Sequence, residues 1–293
     1  MKSSNVHTAV AMDTQISIRT VGHDDPAAVE RAFGWFRRIE HTCSRFDAES
    51  EVRQLATRVN EPVRVSEILF GTASFALALA DATEGAFDPT VGRRMEARGF
   101  DRNYRTGERA TGVVLDDRPP SYRDVHVDHD QKTLMLDRPL VLDLGAVAKG
   151  FAIDMATQEL RGLEHFAIDA GGDLYLAGHN ERELPWHVGI RHPREPATII
   201  AELEVSGTAV CTSGDYLRRN VDGEHHIMDP RTGASATALA SVTAIALSAM
   251  VADALATAAF VLGPSEGLAL LQRHGVRGLL VTPALERFET YAA

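Results

Sequence analysis

The sequence predicts a mixed α+β protein with a largely antiparallel sheet and flanking helices. Three observations carry that expectation. Strand-like segments come in runs as well as alternating with helices, which favours antiparallel pairing over a doubly wound parallel sheet. No G-x-G-x-x-G follows the first strand-like segment, so a dinucleotide-binding fold lacks its fingerprint. The segment DLGAVAKG (143–150) is not a Walker A loop either, because the spacing from Gly145 to Lys149 is wrong. With 293 residues, 44% of them hydrophobic, the chain can fill one large core or two modest lobes. We expect a single domain over 1–293, with residues 1–8 a flexible N-terminal segment.

Residues 9–20 alternate apolar and polar through Met12, Thr14, Ile16 and Ile18, as a half-buried strand does. From Asp25 a helix is expected, with a proline in its first turn and Val29, Phe33, Phe36 and Ile39 at helical spacing. A second, largely apolar helix runs from Ser66 to Thr83. The period then changes to two. Val125 and Val127, a polar turn at 128–131, and Leu134 and Leu136 make a hairpin that feeds a third strand at VLDLG (141–145). A helix follows from Ala146 to Leu160. Residues 165–178 read as two strands meeting at Gly171-Gly172, and further strands are expected at 186–192, 198–205 and 208–213. The last third gives a strand at 241–247, a helix from Ser248 to Leu262, a second helix ending near Gly275, and a final strand at 278–282.

A formal charge of -11, from 41 acidic against 30 basic residues, repels a phosphate backbone, so nucleic acid is excluded as a partner. The longest basic cluster, Arg93, Arg94 and Arg98, reads as a solvated helix face. Cys43 and Cys211 match neither a disulfide framework nor a zinc spacing and are expected to be buried thiols. The first residues lack the apolar run of roughly 7–15 residues that a signal peptide needs, and no later segment reaches membrane-spanning length without charge. No membrane insertion and a cytoplasmic location are therefore expected.

Four segments carry candidate chemistry. Asp253 and Thr257 lie four apart, so a helix stacks them on one face among apolar residues. A carboxylate and a hydroxyl are hard oxygens suited to Mg²⁺, although spacing alone favours the plainer reading of hydrogen bonds to neighbouring backbone. In EHHIMDPRTG (224–233), His225 and His226 are expected at a strand end before a tight turn, where a base can be displayed. His225 alone reads as a satisfied surface histidine. The segment CTSGDY (211–216) is a small-residue turn whose amides and hydroxyls can receive phosphate oxygens, or an ordinary strand end. In DLGAVAKG a strand opens into a helix, so free amides and Lys149 can face an anion.

Taken in order, these segments resemble the ApbE family, the FAD:protein FMN transferases. The resemblance begins at MDT (12–14) and continues through SRFDAESEVRQL (44–55), TEGAFDPTVG (83–92), LDLGAVAKGFAID (142–154), IDAGGDLYLAG (168–178) and VGIRHPRE (188–195). It is strongest at AVCTSGDY (209–216), HHIMDPRTG (225–233) and ADALATAAFVLG (252–263). It implies a fold related to the T-fold, with two lobes around a flavin cleft. It also implies Mg²⁺-dependent transfer of FMN from FAD to a Thr or Ser hydroxyl of an acceptor protein, with release of AMP. By position, the metal falls to Asp253, Thr257 and the backbone carbonyl of Ala146, and His226 becomes the base, so that His226 and Asp253 are the catalytic pair. Met12, Phe87, Asp88, Thr90, Asp143, Lys149, Gly172, Asp173, Thr212, Ser213, Gly214 and Asp215 would line or shape the FAD site.

The chain departs from the family pattern in three places. Met12-Asp13-Thr14 replaces the usual Met-Gly-Thr. The usually apolar stretch after FDPTVG is RRMEARGF. Many relatives are exported lipoproteins, whereas this chain shows neither signal nor N-terminal cysteine, which points to a cytoplasmic acceptor. Two rival functions share the same motifs: a Mg²⁺-dependent FAD pyrophosphatase giving FMN and AMP, and a non-catalytic FAD-binding protein.

Overall fold

Met12 and Asp13 both have positive φ (53° and 59°), the geometry of a two-residue hairpin turn whose twist matches the strands it joins. Strands β1 (Ser4–Ala11) and β2 (Thr14–Val21) therefore pair antiparallel in full register, from Ser4↔Val21 to Ala11↔Thr14. This corrects two expectations. Residues 9–20 are the ends of two strands rather than one strand, and most of the segment expected to be loose, residues 4–8, is laddered into a sheet. The structure, a computed structural model, describes residues 1–102, 107, 109 and 118–290.

The chain divides into two units. The first comprises Met1–Arg37, Lys149–Leu217 and Thr237–Ala293, and the second Arg38–Ala148 and Arg218–Ala236. The first unit holds an eight-stranded sheet in the order β1-β2-β6-β7-β10-β11-β12-β13, antiparallel at every pairing. Its later strands are β6 (Phe166–Ala170), β7 (Asp173–Ala177), β10 (Thr208–Gly214), β11 (Ser241–Ala246), β12 (Arg277–Val281) and β13 (Arg287–Thr290). The mixed, antiparallel architecture is thus as expected. Strand β13 was not foreseen, since RFET is short and mostly polar.

Helix α6 (Ala249–Arg273) packs on β10, β11 and β12. A separate hairpin, β8 (Trp186–Arg191) with β9 (Ile199–Val205), forms an apolar cluster with the sheet, in which Trp186, Val188 and Ile190 meet Val210, Ile245 and Val281. Central β11 is consequently buried along most of its length. By length and composition α6 could cross a membrane. It is instead interrupted at Gly263 (φ 83°), just before Pro264, and buries Leu255, Phe260 and Leu270. The expected pair of helices is this one element with a break.

In the second unit, α2 (Glu51–Leu55), α3 (Glu67–Ala82) and α4 (Gly92–Ala97) accompany a small sheet in the order β3-β5-β4. Its strands are β3 (Val63–Arg64), β4 (Val125–Asp128) and β5 (Thr133–Leu136). Ser66 caps α3, as its position before the apolar run suggested. The third strand expected at 141–145 does not form. Leu140, Val141 and Leu142 are buried, but that run has no ladder partner and β3 completes the sheet instead. Helices α1 (Pro26–Cys43) and α5 (Gly145–Glu159) lie where helical periodicity put them.

Candidate functional site

In the first unit the candidate residues converge at the start of α6. Ser248 caps that helix by accepting from the Val251 amide, and Asp154 on α5 accepts from the amides of Ala249 (2.7 Å) and Met250 (3.0 Å). The crossing is close because residue 150 is glycine. A Cβ there would meet the Ala249 carbonyl and lie 2.6 Å from the Met250 Cα. One residue earlier, Lys149 forms an ion pair with Asp173 and lies 3.4 Å from the Asp253 carboxylate. Two buried carboxylates thus share one ammonium, leaving a net charge of -1 among these three side chains.

Around this trio stands a hydroxyl layer. Asp173 also accepts from the Thr212 amide (3.0 Å), the Thr212 hydroxyl meets that of Thr243 (2.8 Å), and Ser213 meets Thr257 (3.0 Å). The spacing argument for Asp253 and Thr257 therefore finds both on a formed helix, with Lys149, Asp173, Thr212 and Ser213 gathered beside them. Among the described residues, no group of three or more His, Cys, Asp or Glu side chains is gathered to hold a metal. The Asp253 carboxylate with the Thr257 hydroxyl one turn on still fits Mg²⁺, which keeps several waters and takes its other ligands from substrate phosphates. Cys211 lies buried behind the trio, its thiol pushed well above the ordinary range by burial and by the Asp253 charge. Both cysteines are the buried thiols expected, and burial raises Cys43 to about 12.

Other candidates in this unit are turn residues. Gly172 (φ 97°) closes the β6–β7 hairpin, its amide donating to Asp169 (2.8 Å). Adjacent Gly171 lies against the Thr14 side chain, which sets this turn beside the Met12-Asp13 turn. A side chain at Gly214 would run into the Tyr216 ring. Asp215 makes a two-pronged ion pair with Arg194 (2.7 Å on both arms), and that hydrogen bonding raises the Arg194 pKa further. Arg194 lies in VGIRHPRE, but nothing in a separation of 21 residues marks it as the partner of Asp215.

In the second unit several candidates are occupied with holding loops. Asp88 accepts from the amide and hydroxyl of Thr90 (2.8 and 2.7 Å) and from the Tyr122 amide (2.9 Å). Burial raises its pKa against those hydrogen bonds. Phe87 and Thr90 are buried beside it. Asp143 accepts from the Gly145 amide at the start of α5 (2.9 Å) and from the Arg45 guanidinium (2.9 Å). Burial alone would raise the Asp143 pKa, but Arg45, the Gly145 amide and His226 together hold it below the ordinary carboxylate value. Ala146 follows in the first turn of α5, half-buried.

The two histidines separate in role. His225 is buried, its Nε2 donates to the Ala236 carbonyl (2.8 Å), and its Nδ1 accepts from the Ile227 amide. It is a satisfied histidine, though a core one rather than a surface one. His226 is half-buried, and its protonated form lowers the Asp143 pKa. The expected strand end is not there. Residues 218–236 form a loop tied by isolated bridges at Arg219↔His225 and Met228↔Ser235. The arginines of 93–98 are not a solvated face either. Arg93 is buried, while Arg94 donates to the Pro230 carbonyl (2.5 Å) and Arg98 to the Gly233 carbonyl (2.8 Å). The charge pattern hid this because a six-residue helix has too few turns to separate an inner face from an outer one.

Comparison with known proteins adds an independent line. The model of the ApbE family matches residues 12–280. A FAD:protein FMN transferase of Vibrio cholerae is 32% identical over 266 residues, covering 87% of this chain and 79% of that protein. One of Treponema pallidum is 33% identical over 285 residues, covering 88% and 77%. Among solved structures, the ApbE protein of Thermotoga maritima superposes with a TM-score of 0.86 at 32% identity, covering 98% of this chain and 97% of that one. The flavin transferase ApbE of Vibrio cholerae gives 0.87 at 25% identity, covering 100% and 98%.

Proposed function

The chain belongs to the ApbE family, and on that premise we propose that it transfers FMN from FAD to a Thr or Ser hydroxyl of an acceptor protein, releasing AMP, with Mg²⁺ as the metal. The observation that carries the proposal is the convergence of Lys149, Asp173, Asp253, Ser213 and Thr257 at the start of α6. Such a set, net negative by itself, suits a divalent cation that would neutralise a pyrophosphate, while the ammonium and the hydroxyls would orient it. Phosphoryl transfer needs little covalent help from the protein but much charge compensation on its oxygens.

Asp253 and Thr257 would hold Mg²⁺, which would supply positive charge to those phosphate oxygens. Lys149, shared between Asp173 and Asp253, would add an ammonium from the chain itself, and the Thr212 and Ser213 hydroxyls would donate hydrogen bonds. In the reaction the acceptor oxygen forms a new bond to the FMN phosphorus, the bond from that phosphorus to the bridging oxygen breaks, and AMP departs. The hydroxyl proton must leave as that bond forms. His226 takes it at the imidazole, and the ionised Asp143 stabilises the resulting cation. A base of this kind contributes roughly 10²–10⁴-fold.

Incubation with FAD and Mg²⁺, with and without an acceptor domain, tests the proposal. Flavin fluorescence on a denaturing gel that requires the acceptor, together with AMP, is the expected result. Free FMN and AMP formed without the acceptor would make water the nucleophile, and tight FAD without AMP would make the protein a binder. Asp253→Ala should lower transfer by at least about 10²-fold with an unchanged circular dichroism spectrum. Full activity in that variant would remove Asp253 from the reaction.

A further inference from the structure

Arg98 touches the loop of His226 on both sides of that residue in sequence. One arm donates to the Gly233 carbonyl (2.8 Å), and the other to the Ser235 hydroxyl (3.1 Å) and the Glu224 carboxylate (2.6 Å). The Ser235 hydroxyl in turn donates to the His225 carbonyl (2.7 Å), the peptide that leads directly into His226. From the loop side, the Asn220 side-chain amide donates to the Arg98 carbonyl (2.9 Å). Arg94 adds its bond to the Pro230 carbonyl, and its guanidinium lies so close to Gly233 (φ 76°) that any side chain there would collide with it. Beneath these polar contacts, Met228 of the loop packs with Met95 and Phe100.

These contacts compensate for what the loop lacks. Residues 218–236 have isolated bridges rather than a ladder, so little regular structure fixes the backbone at 226. A planar guanidinium holds its donors in a fixed, spread fork, whereas an ammonium gathers them at one point on a flexible stem.

We infer that Arg98, assisted by Arg94, is a positioning residue: it brackets the 224–235 loop and so sets the place from which the His226 imidazole acts. The inference rests on His226 as the base. Misplacing a reacting group by about 1 Å can lower a rate by about 10²-fold, so a loosened loop should be visible in turnover before it is visible in binding.

Two variants of the full chain test it, each with two readouts. In Arg98→Gln, amide hydrogen exchange over 224–236 should quicken at least tenfold and kcat for acceptor flavinylation should fall by about tenfold or more, with KM for FAD changed less than twofold. Arg98→Lys, which keeps the charge and loses the fork, should recover only part of either effect. Unchanged exchange in Arg98→Gln would overturn the bracket, and faster exchange with unchanged kcat would overturn its link to the reaction. His226→Gln is the separating control: full transfer in that variant would sink the assignment of the base itself, whatever the exchange data show.

Discussion

At the scale of single residues, Asp13 is the most informative position of the first hairpin. It occupies the second central position of a tight turn at φ 59°, a conformation that glycine, asparagine and aspartate enter most readily. Aspartate therefore suits this hairpin, although one oxygen of Asp13 is buried with no hydrogen-bond partner among the described residues. Asp13→Asn should keep stability within about 0.5 kcal/mol of the parent, whereas Asp13→Val should cost about 1–2 kcal/mol. Chemical denaturation measures both, and equal stability of the two variants would show that the turn does not require this backbone. The same scale shows where motif reading stops. Helical spacing puts Asp253 and Thr257 on one face, but spacing alone favours backbone hydrogen bonds, and only the resemblance implies a metal site there. Asp88, Asp143 and Asp215 were equally prominent in the motifs, yet each gives its oxygens to a turn, a helix start or an arginine. A carboxylate that caps a loop and one that meets a ligand look identical in sequence, since the difference lies in partners that are distant along the chain.

Among the elements, the helices were the most legible, because their periodicity and caps are local: Ser66 and Ser248 each sit one residue before the helix they start. The errors fell on strands, whose existence depends on a partner. Residues 140–142 have the burial of a strand but no ladder, while the polar β13 is a strand only because β12 offers it an edge. The first hairpin was missed because Met-Asp is a weak turn signal compared with Asn-Gly. The crossing of α5 and α6 gives the prediction at this scale. Gly150→Ala places a methyl against the backbone of Ala249 and Met250, so the helices must part. The expected cost is about 1–3 kcal/mol, accompanied by lower transfer activity because Lys149 shifts relative to Asp253. A Gly150→Ala protein that melts with the parent and turns over normally would show that the close approach is not needed.

For the molecule as a whole, the sequence charge of -11 says little about where ionic stability resides, because most of those charges are solvated. The consequential charges are in the second unit, where Arg45 (side chain 7% exposed) meets Asp143 (22%) at 2.9 Å and Glu96 (9%) at 3.9 Å, and Glu96 also meets Arg53 at 2.9 Å. Removing one partner from such a group strands the other, which is where a buried ion pair exerts its largest effect. Arg45→Met should therefore destabilise the protein by about 3 kcal/mol at neutral pH. The sign of its pH dependence follows from Asp143. Its pKa is depressed in the folded state although burial opposes this, with Arg45 the largest of the depressing influences and the Gly145 amide and His226 the others. The stability it contributes is thus present above its unfolded value and is lost as pH falls through the depressed one. Without Arg45, burial dominates and the carboxyl takes up a proton more readily, which removes the stranded charge. The stability gap between parent and variant should then narrow as pH falls below about 4, as urea midpoints measured from pH 7 to pH 3 would show. A gap that stays constant over that range would mean that Arg45 acts through packing, including its stacking on the Phe46 ring at 4.1 Å, rather than through the buried charges.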